Sequence, residues 1–340
     1  MTVIPPNPTL EDVARLAGVS TATVSRCLNA PDKVVERTRL RVLEAVRELG
    51  YLPNFGARAM VARRTNTIGA IIPTMANAIF AKGLQAFQEE ARALGYQLLV
   101  ASSSYRADLE EEQARALVAR GADGLLLIGL ERAETLTAFL AQRGLPAVVA
   151  WTHAEEAGLP TVGFDNRAAM RGLAEEVLRR GHQRVAMISA PVAHNDRARA
   201  RLDGVRDALR AAGLGEDLPV IETGYGLDEG GAALAQLMQR ETPPTVVMCG
   251  NDVLAAGAIR QAGRLGLRVP EDVSITGFDD IELATLVTPA LTTVHVPHQE
   301  MGRRAAQCLV EMVEKSVRPC SVALNTELRL RDSLGAPAQG

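Results

Sequence analysis

The sequence is poor in aromatic residues and in cysteine. Aromatic residues make up 3% of the 340 residues, whereas hydrophobic residues reach 47%, which is typical of an α/β protein with an aliphatic core. The four cysteines, Cys27, Cys249, Cys308 and Cys320, are widely separated and form no C-x-x-C pair. This spacing argues against a structural zinc site and fits reduced thiols in the cytoplasm.

Long apolar runs and a secretory signal are also lacking. The longest apolar runs, such as GLLLIGL at 124–130, suit a buried strand and are too short for a membrane span. The start, MTVIPPNPTL, has prolines where a signal peptide needs an unbroken apolar segment. We therefore expect a cytoplasmic protein with no membrane partner.

Catalytic signatures are missing as well. The sequence contains no G-x-S-x-G, no P-loop and no G-x-G-x-x-G after the first predicted strand. None of its five histidines lies in an H-E-x-x-H motif or near a cysteine pair. We therefore predict no enzyme activity, no metal and no cofactor.

Charge is distributed unevenly along the chain. The net charge is −3, but residues 1–64 carry ten Lys and Arg against six Asp and Glu, so this segment is about +4 and the rest about −7. A basic head on an acidic body is typical of a nucleic-acid-binding module joined to another domain.

Residues 9–50 predict three helices. Thr9 and Asp12 have the spacing of a capping box, Gly18 can end the first helix, and Ser20 can cap the second. The third helix ends before Gly50. Two interpretations remain at this point: a helical hairpin that merely caps a larger domain, or a helix-turn-helix whose second helix reads DNA.

The segment that follows differs from the helical head. Pro53 breaks the third helix and Asn54 could cap a short fourth one, but Gly56 and the scarcity of apolar residues make that helix marginal. We predict that residues 54–62 are disordered until DNA holds them.

From Thr67 onwards, short apolar strands alternate with amphipathic helices over about 260 residues. This pattern predicts parallel sheets with helices on both faces, and the length is roughly twice that of one doubly wound domain. The predicted fold is an N-terminal all-α helix-turn-helix head plus an α/β core of two doubly wound parallel-sheet subdomains.

Polar loops follow several predicted strands. HNDRARARLDG at 194–204 is either a solvated helix start or an anion-binding edge, because ligands bind beyond the carboxyl ends of parallel strands. Two further loops place polar side chains at the same edge, namely Asn251, Asp252, Asp279 and Asp280. Convergence of three such loops favours a ligand site.

Seven segments resemble one known family. In chain order they are TLEDVARLAGVSTATVSRCLN, YLPNFGARAM, RRGHQRVAMI, ARLDGVRDAL, NDVLAAGAI, GLRVPEDVSITGFDD and PALTTVHVP. They resemble the lactose repressor (LacI) family from about Thr9 to Arg331, and its core is similar to periplasmic binding proteins. NAIFAKGLQAF and TVGFDN are most similar to the gluconate-repressor branch.

The resemblance implies DNA-binding positions. A recognition helix would span Ser20 to Asn29, with Thr21, Ala22 and Arg26 reading bases. The phosphate-contacting positions would be Thr9, Ser20, Thr23, Ser25, Asn29 and Tyr51. Positions in the hinge, Asn54 to Ala62, would be Asn54, Ala57 and Met60. Hydroxyls at helix N-termini suit phosphate oxygens, and an arginine can read guanine.

The sequence departs from the family pattern at several positions. Met60 replaces the leucine that wedges the minor groove, and Val35 replaces a serine cap, a loss of about 1 kcal/mol. Trp151 stands where several members have a sugar-binding aspartate, which argues against a simple hexose. The chain stops soon after LRLRDS without the leucine heptads of the tetramer-forming tail.

The resemblance also implies a cleft for a small-molecule effector. The corresponding positions are Asn77, Phe80, Trp151, Arg197, Arg201, Tyr225, Asn251 and Asp279. Because guanidinium groups suit carboxylates and phosphates, we expect an anionic sugar acid or sugar phosphate.

The predicted domains follow from three crossovers, near 163–165, 290–293 and 320–323. They are a head at 1–53, a hinge and linker at 54–66, an N-terminal subdomain at 67–163 plus 292–322, a C-terminal subdomain at 164–291 plus 323–333, and a tail at 334–340.

We therefore predict an effector-controlled transcriptional regulator, most simply a repressor that binds a pseudo-palindromic operator in double-stranded DNA as a homodimer and is nucleoid-associated when bound. Two alternatives stay open. A periplasmic-type solute-binding protein would need a signal peptide and would have no use for residues 1–64. An enzyme derived from the fold would need a catalytic constellation.

Overall fold

The chain folds as two units, Met1–Thr65 and Asn66–Gly340. The computed structural model describes residues 8–52, 64–76, 78–155, 158–215, 218–317 and 321–337.

The first unit consists of three helices, α1 (Leu10–Ala17), α2 (Thr21–Asn29) and α3 (Glu36–Leu49). The predicted capping box is present, because the Thr9 hydroxyl accepts from the Asp12 N–H and the Asp12 carboxylate accepts from the Thr9 N–H. Ser20 caps α2 by accepting from the N–H of Thr23. These local hydrogen bonds confirm the predicted helix starts.

The three helices bury a small aliphatic core. Val13, Val24 and Val42, one from each helix, are fully buried together with Cys27. The α3 helix begins after Val35, whose side chain provides no capping hydrogen bond and is 75% exposed. The loss of the serine cap predicted from the sequence is therefore seen in the structure.

The second unit contains two parallel sheets. The strands of the first are β1 (Thr67–Ile72), β2 (Gln97–Ser102), β3 (Leu125–Ile128), β4 (Ala147–Ala150), β5 (Thr161–Gly163) and β11 (Val322–Ala323), in the order β11-β5-β4-β3-β1-β2. The strands of the second are β6 (Val185–Ser189), β7 (Val220–Glu222), β8 (Val246–Cys249) and β9 (Ser274–Thr276), in the order β7-β6-β8-β9. All strand pairs within both sheets are parallel, which confirms the predicted fold class.

Helices cover these sheets. They are α4 (Ala81–Ala93), α5 (Ala107–Ala119), α6 (Glu134–Arg143), α7 (Asn166–Arg179), α8 (Asp196–Ala211), α9 (Leu227–Met238), α10 (Asp252–Arg264), α11 (Leu283–Leu286) and α12 (His298–Lys315). Helices α4 and α12 cross at Gly83 and Gly302, where a Cβ on Gly302 would collide with the Gly83 carbonyl oxygen. Within the described ranges, no helix is both long enough and apolar enough to span a membrane.

Two crossing strands lie beside the second sheet. Strand β10 (Thr293–His295) pairs antiparallel with β12 (Glu327–Arg329). The buried carboxylate of Asp252 accepts from Thr293 Oγ1 at 2.6 Å and from the Ile281 N–H at 2.8 Å. Burial raises the pKa of Asp252 well above its usual value, so β10 is anchored by a carboxyl group that is held largely out of water.

Candidate functional sites

Helix α2 has one buried and one exposed face. Val24 and Cys27 are buried in the three-helix core, whereas Thr21, Ala22 and Arg26 are exposed. Arg26 makes no ion pair with any residue that the structure describes. Its guanidinium is therefore available to a partner outside the head.

The other predicted DNA-contacting residues fall into three groups. Thr9, Ser20 and Asn29 are exposed, Thr23 and Ser25 are half-buried, and Tyr51 is buried in the core of the head. The Asn29 Nδ2 donates to Ser25 Oγ at 3.2 Å. The hinge positions Asn54, Ala57 and Met60 lie outside the described residues.

Six of the eight predicted effector positions line one cavity of the second unit. They are Phe80, Trp151, Arg197, Arg201, Tyr225 and Asp279. Of the other two, Asn77 lies outside the described residues, and Asn251 caps α10 by accepting from the Leu254 N–H at 2.9 Å. We call this cavity the inner site.

The inner site concentrates residues that are scarce in this chain. The chain has six Phe, four Tyr and one Trp, and five of these eleven rings line this one cavity: Phe80, Tyr105, Trp151, Phe164 and Tyr225. Aromatic rings stack on apolar ligand faces at low entropic cost, and few of them are needed for the aliphatic cores of the sheets. Their accumulation here favours a binding role.

Backbone conformation is also unusual around this cleft. Among described non-glycine residues, eight have a positive φ, and three of them line the inner site: Tyr105, Trp151 and Asp279. Such conformations are unfavourable for L-residues and gather at functional sites, where the surrounding structure enforces them. Trp151, at φ 62°, directly follows β4.

Trp151 is held by its neighbours. The Phe80 ring meets it edge-on at 5.4 Å, and the His298 ring lies 6.3 Å away. Gly83 on α4 makes room for the indole, because a Cβ there would lie 2.6 Å from Trp151 Cζ2. The buried Nε1 of Trp151 has no hydrogen-bond partner among the described residues.

Arg201 projects from α8 and is almost fully buried. Its Nη1 donates to Asn166 Oδ1 at 2.7 Å, and the Asn166 Nδ2 donates to the Trp151 carbonyl at 3.0 Å. The guanidinium carbon lies 4.9 Å from the centre of the Phe278 ring. The Arg201 Nε is buried without a partner among the described residues, so this arginine is positioned but retains an unused donor.

Two other ionisable groups are buried at the inner site. Burial raises the pKa of Asp279 to about 6, although Arg201 and Arg197 act to lower it. Burial lowers the pKa of His298 to about 4. Because of this lowered pKa, the imidazole of His298 is uncharged near neutral pH. Its Nε2 lies 3.9 Å from Asp279 Oδ1.

The inner site is closed in this structure. Its remaining volume is about 10 Å³, enough for about one water molecule. Two hydrogen bonds join the loop after β3 to helix α8. The Leu130 N–H donates to Asp196 Oδ2 at 2.9 Å, and Arg199 Nη2 donates to Glu131 Oε2 at 2.6 Å. A ligand larger than water therefore requires the residues that line the site to move.

The sequence predictions missed four residues of the inner site, namely Ile79 and three residues that follow strands. Tyr105 and Phe164 come just after β2 and β5, and Asn166 begins α7. The rule that ligands bind beyond the carboxyl ends of parallel strands points to all three. The signal was present in SSSY and GFDN but was not used.

Comparisons with known proteins agree with this geometry. Residues 9–54 match the model described as "Bacterial regulatory proteins, lacI family", and residues 65–327 match "Periplasmic binding proteins and sugar binding domain of LacI family". The chain belongs to the LacI family. It is therefore a DNA-binding transcriptional regulator with a ligand-binding core, and it is not an enzyme.

Individual members of the LacI family are similar over nearly the whole chain. The repressor CytR of Escherichia coli K12 is 37% identical, with 96% of each chain covered. The regulator GntR of Pseudomonas aeruginosa is 34% identical over 96% of this chain and 95% of its own. A structure of the lac repressor dimer bound to operator and the anti-inducer ONPF has a TM-score of 0.86 at 26% identity, covering 97% of this chain and 99% of that one.

Proposed function

We propose that this LacI-family regulator is a cytoplasmic repressor that binds a pseudo-palindromic operator as a homodimer, and that an anionic sugar derivative in the inner site controls it. The effector class is a sugar acid or a sugar phosphate. The observation that carries this assignment is the pairing of two buried arginines, Arg197 and Arg201, with a tryptophan on the other side of one cavity.

The charge balance of the inner site favours an anion. Arg197 and Arg201 face a single lining carboxylate, that of Asp279, whose pKa is raised to about 6 by burial. The unused donors Trp151 Nε1 and Arg201 Nε both require acceptor atoms. A carboxylate or phosphate supplies several acceptor oxygens, and a guanidinium binds such groups through paired N–H donors.

The remaining predicted residues have roles consistent with the same ligand. Tyr225 stacks on Tyr105 with ring centres 5.5 Å apart, and its hydroxyl accepts from Asn195 Nδ2 at 3.0 Å. This ring pair can cover the apolar face of a sugar. Asp279 would hold ligand hydroxyls, and the buried Asn251 Nδ2, which has no partner among the described residues, remains a candidate donor.

The homodimer is supported by an exposed sheet edge. Strand β2 forms one edge of the first sheet, and there Val100 is 38% exposed; Leu94, just before it, is 40% exposed. Pairing of such a surface with its own copy around a two-fold axis would give a dimer with two heads, which matches the two halves of a pseudo-palindrome. Sedimentation of the full chain should show a dimer, and a gel shift should show salt-dependent operator binding.

Control by the effector requires unequal binding to two arrangements of the cleft. The closed inner site, with its 2.9 Å contact between Leu130 and Asp196, supplies one arrangement. The predicted subdomains, 67–163 plus 292–322 and 164–291 plus 323–333, would be the moving parts of this proposal.

Calorimetric titration of the full chain tests the effector class. Gluconate-like acids and sugar phosphates are compared with the matching neutral sugars, using wild type, Arg201→Gln and the control Arg206→Gln, an exposed α8 residue paired with Asp203. We expect the acid to bind more tightly than the neutral sugar. Arg201→Gln should weaken it by about 2–3 kcal/mol, as expected for lost charged hydrogen bonds. Tight binding of a neutral sugar that Arg201→Gln leaves unchanged would refute the anionic class.

A further inference from the structure

A second cavity of about 230 Å³ adjoins the inner site. Tyr105 and Arg197 line both cavities. The second cavity also lies between the two sides of the cleft, because Glu110 and Arg132 come from the first sheet's helices and loops while Asp196 comes from α8. We call it the outer cavity. Its volume is more than twenty times the volume left in the inner site, which is room for one additional sugar ring.

The charges around the outer cavity balance. Its lining arginines are Arg106, Arg132 and Arg197, and its lining carboxylates are Glu110, Glu131 and Asp196. In the inner site, by contrast, two arginines and one carboxylate, that of Asp279, line the cavity, although Arg197 also pairs with Asp196 at 3.3 Å. A second anionic group would therefore lie beside three carboxylates, so the outer cavity suits an uncharged ligand group.

Most of these charged groups already have partners. Arg106 binds Asp108, Glu131 accepts from Arg199, and Asp196 accepts from the Leu130 N–H. The exceptions are Arg132 and Glu110. Arg132 donates through Nη2 to the Gly129 carbonyl, but its buried Nη1 has no partner among the described residues.

Glu110 supplies the complementary function. Its side chain is buried on α5, and burial raises its pKa while Arg132 and Arg197 lower it. A carboxyl group accepts hydrogen bonds when it is ionised and also donates one when it is protonated. A hydroxyl does both as well, so Arg132 Nη1 and the Glu110 carboxyl together match the hydroxyls of a sugar ring.

We propose that the effector has two units, with an anionic unit in the inner site and a neutral hydroxylated ring in the outer cavity held by Arg132 and Glu110. The link between the two units would lie beside Tyr105 and Arg197, the residues that line both cavities. This inference rests on the proposed function in two respects: an effector binds in the cleft, and its anionic unit occupies the inner site. It makes the outer cavity the determinant of effector length.

The test compares one-unit and two-unit probes on the full-length protein. Calorimetry is run with gluconate, with maltobionate (gluconate bearing one glucosyl ring), and with glucose and maltose as the neutral pair. We expect maltobionate to bind roughly tenfold more tightly than gluconate, the effect of one or two net hydrogen bonds. Arg132→Leu and Glu110→Gln should each abolish this ratio without changing gluconate binding.

Two further variants separate a binding role from misfolding. Ala133→Leu adds side-chain volume at a lining position of the outer cavity and should exclude maltobionate while gluconate still binds. Arg120→Leu removes an exposed arginine that donates to the Ala116 carbonyl and does not line the cavity; it should leave both affinities unchanged. Operator binding in a gel shift verifies the fold of each variant.

The outcomes distinguish the two proposals. Equal affinity for gluconate and maltobionate, or a ratio that Arg132→Leu and Glu110→Gln do not change, overturns the two-unit effector and leaves the anionic class standing. If maltose binds more tightly than maltobionate and its affinity depends on Arg132, the anionic class is refuted and the role of the outer cavity is retained. Binding of none of the four probes overturns both.

Discussion

Helices α2 and α8 each carry an arginine at a predicted ligand-contacting position, but the surroundings of the two side chains are opposite. Arg26 on α2 is exposed and has no ion pair among the described residues. Arg201 on α8 is 6% exposed, donates to Asn166 and stacks over Phe278. Arg26 therefore stays hydrated and can change rotamer, whereas Arg201 is dehydrated and fixed in one conformation without a ligand.

This difference matches the two kinds of ligand. DNA presents a large hydrated surface, and an arginine that reads a base must reorient as the head docks. A small effector is enclosed, so its site gains from donors that are already dehydrated and fixed. The head therefore leaves polar groups in water, and the core buries them, including some without a full set of partners.

Removal of the free arginine should have the largest effect. Arg26→Ala is expected to weaken operator binding by about 1–3 kcal/mol while non-specific binding changes little, because a base contact carries sequence information. Fluorescence titration with operator and with random DNA measures both, and Arg47→Ala on α3 is the control. Equal losses on the two DNAs would show that Arg26 contacts only phosphate.

A smaller effect is expected from a buried polar group of the core. The pKa of His298 is lowered by burial from 6.5 to about 4, so the unfolded chain takes up the proton first and stability falls as pH decreases below about 6.5. Replacement by a ring that does not titrate, His298→Phe, should remove this loss. Between pH 7.5 and 5 the variant should gain about 2 kcal/mol relative to wild type.

Chemical denaturation at several pH values measures this difference. Asp279 changes stability in the opposite direction, because its raised pKa of about 6 gives stability that is lost as pH rises through 6. Its contribution is present in both proteins and cancels to first order in the comparison. A difference between wild type and His298→Phe that does not vary with pH would contradict the buried, neutral imidazole.

The smallest effect concerns the missing helix cap of the head. Val35 precedes α3 without a side-chain cap, and Val35→Ser should stabilise the head by about 1 kcal/mol. Hydrogen exchange of α3 amides in the full chain reports this locally. Val35→Ala, which cannot accept a hydrogen bond, is the control, and equal protection in both variants would exclude capping as the cause.

Local features were predictable from the sequence because their partners are close in the chain. The capping pair Thr9 and Asp12, and the cap at Ser20, join residues three apart, and both are present. Alternation of apolar strands with amphipathic helices was sufficient for two parallel sheets. The resemblance then directed attention to Arg201 and Asp279, which line one cavity.

Long-range contacts were not predictable in the same way. Asn166 accepts a hydrogen bond from Arg201, which lies 35 positions later in the chain, and nothing in the local sequence specifies that pair. The spacing of the three arginines on α8, however, predicts that Arg197 and Arg201 share one face of the helix and that Arg199 lies on another. Residues four apart share a helix face and residues two apart do not, and Arg199 indeed turns to Glu131.

The closed cleft depends on a glycine, Gly129, which lies just after β3 and is in close contact with α8. Its φ is 77°, and a Cβ there would collide with Arg197 Nη1 and Asp196 Oδ1. A side chain at this position would force the Arg197 and Asp196 side chains to move in the closed arrangement, and the positive φ would add backbone strain. We therefore expect a substitution at position 129 to disfavour the closed arrangement and to shift the balance between the two proposed arrangements of the cleft.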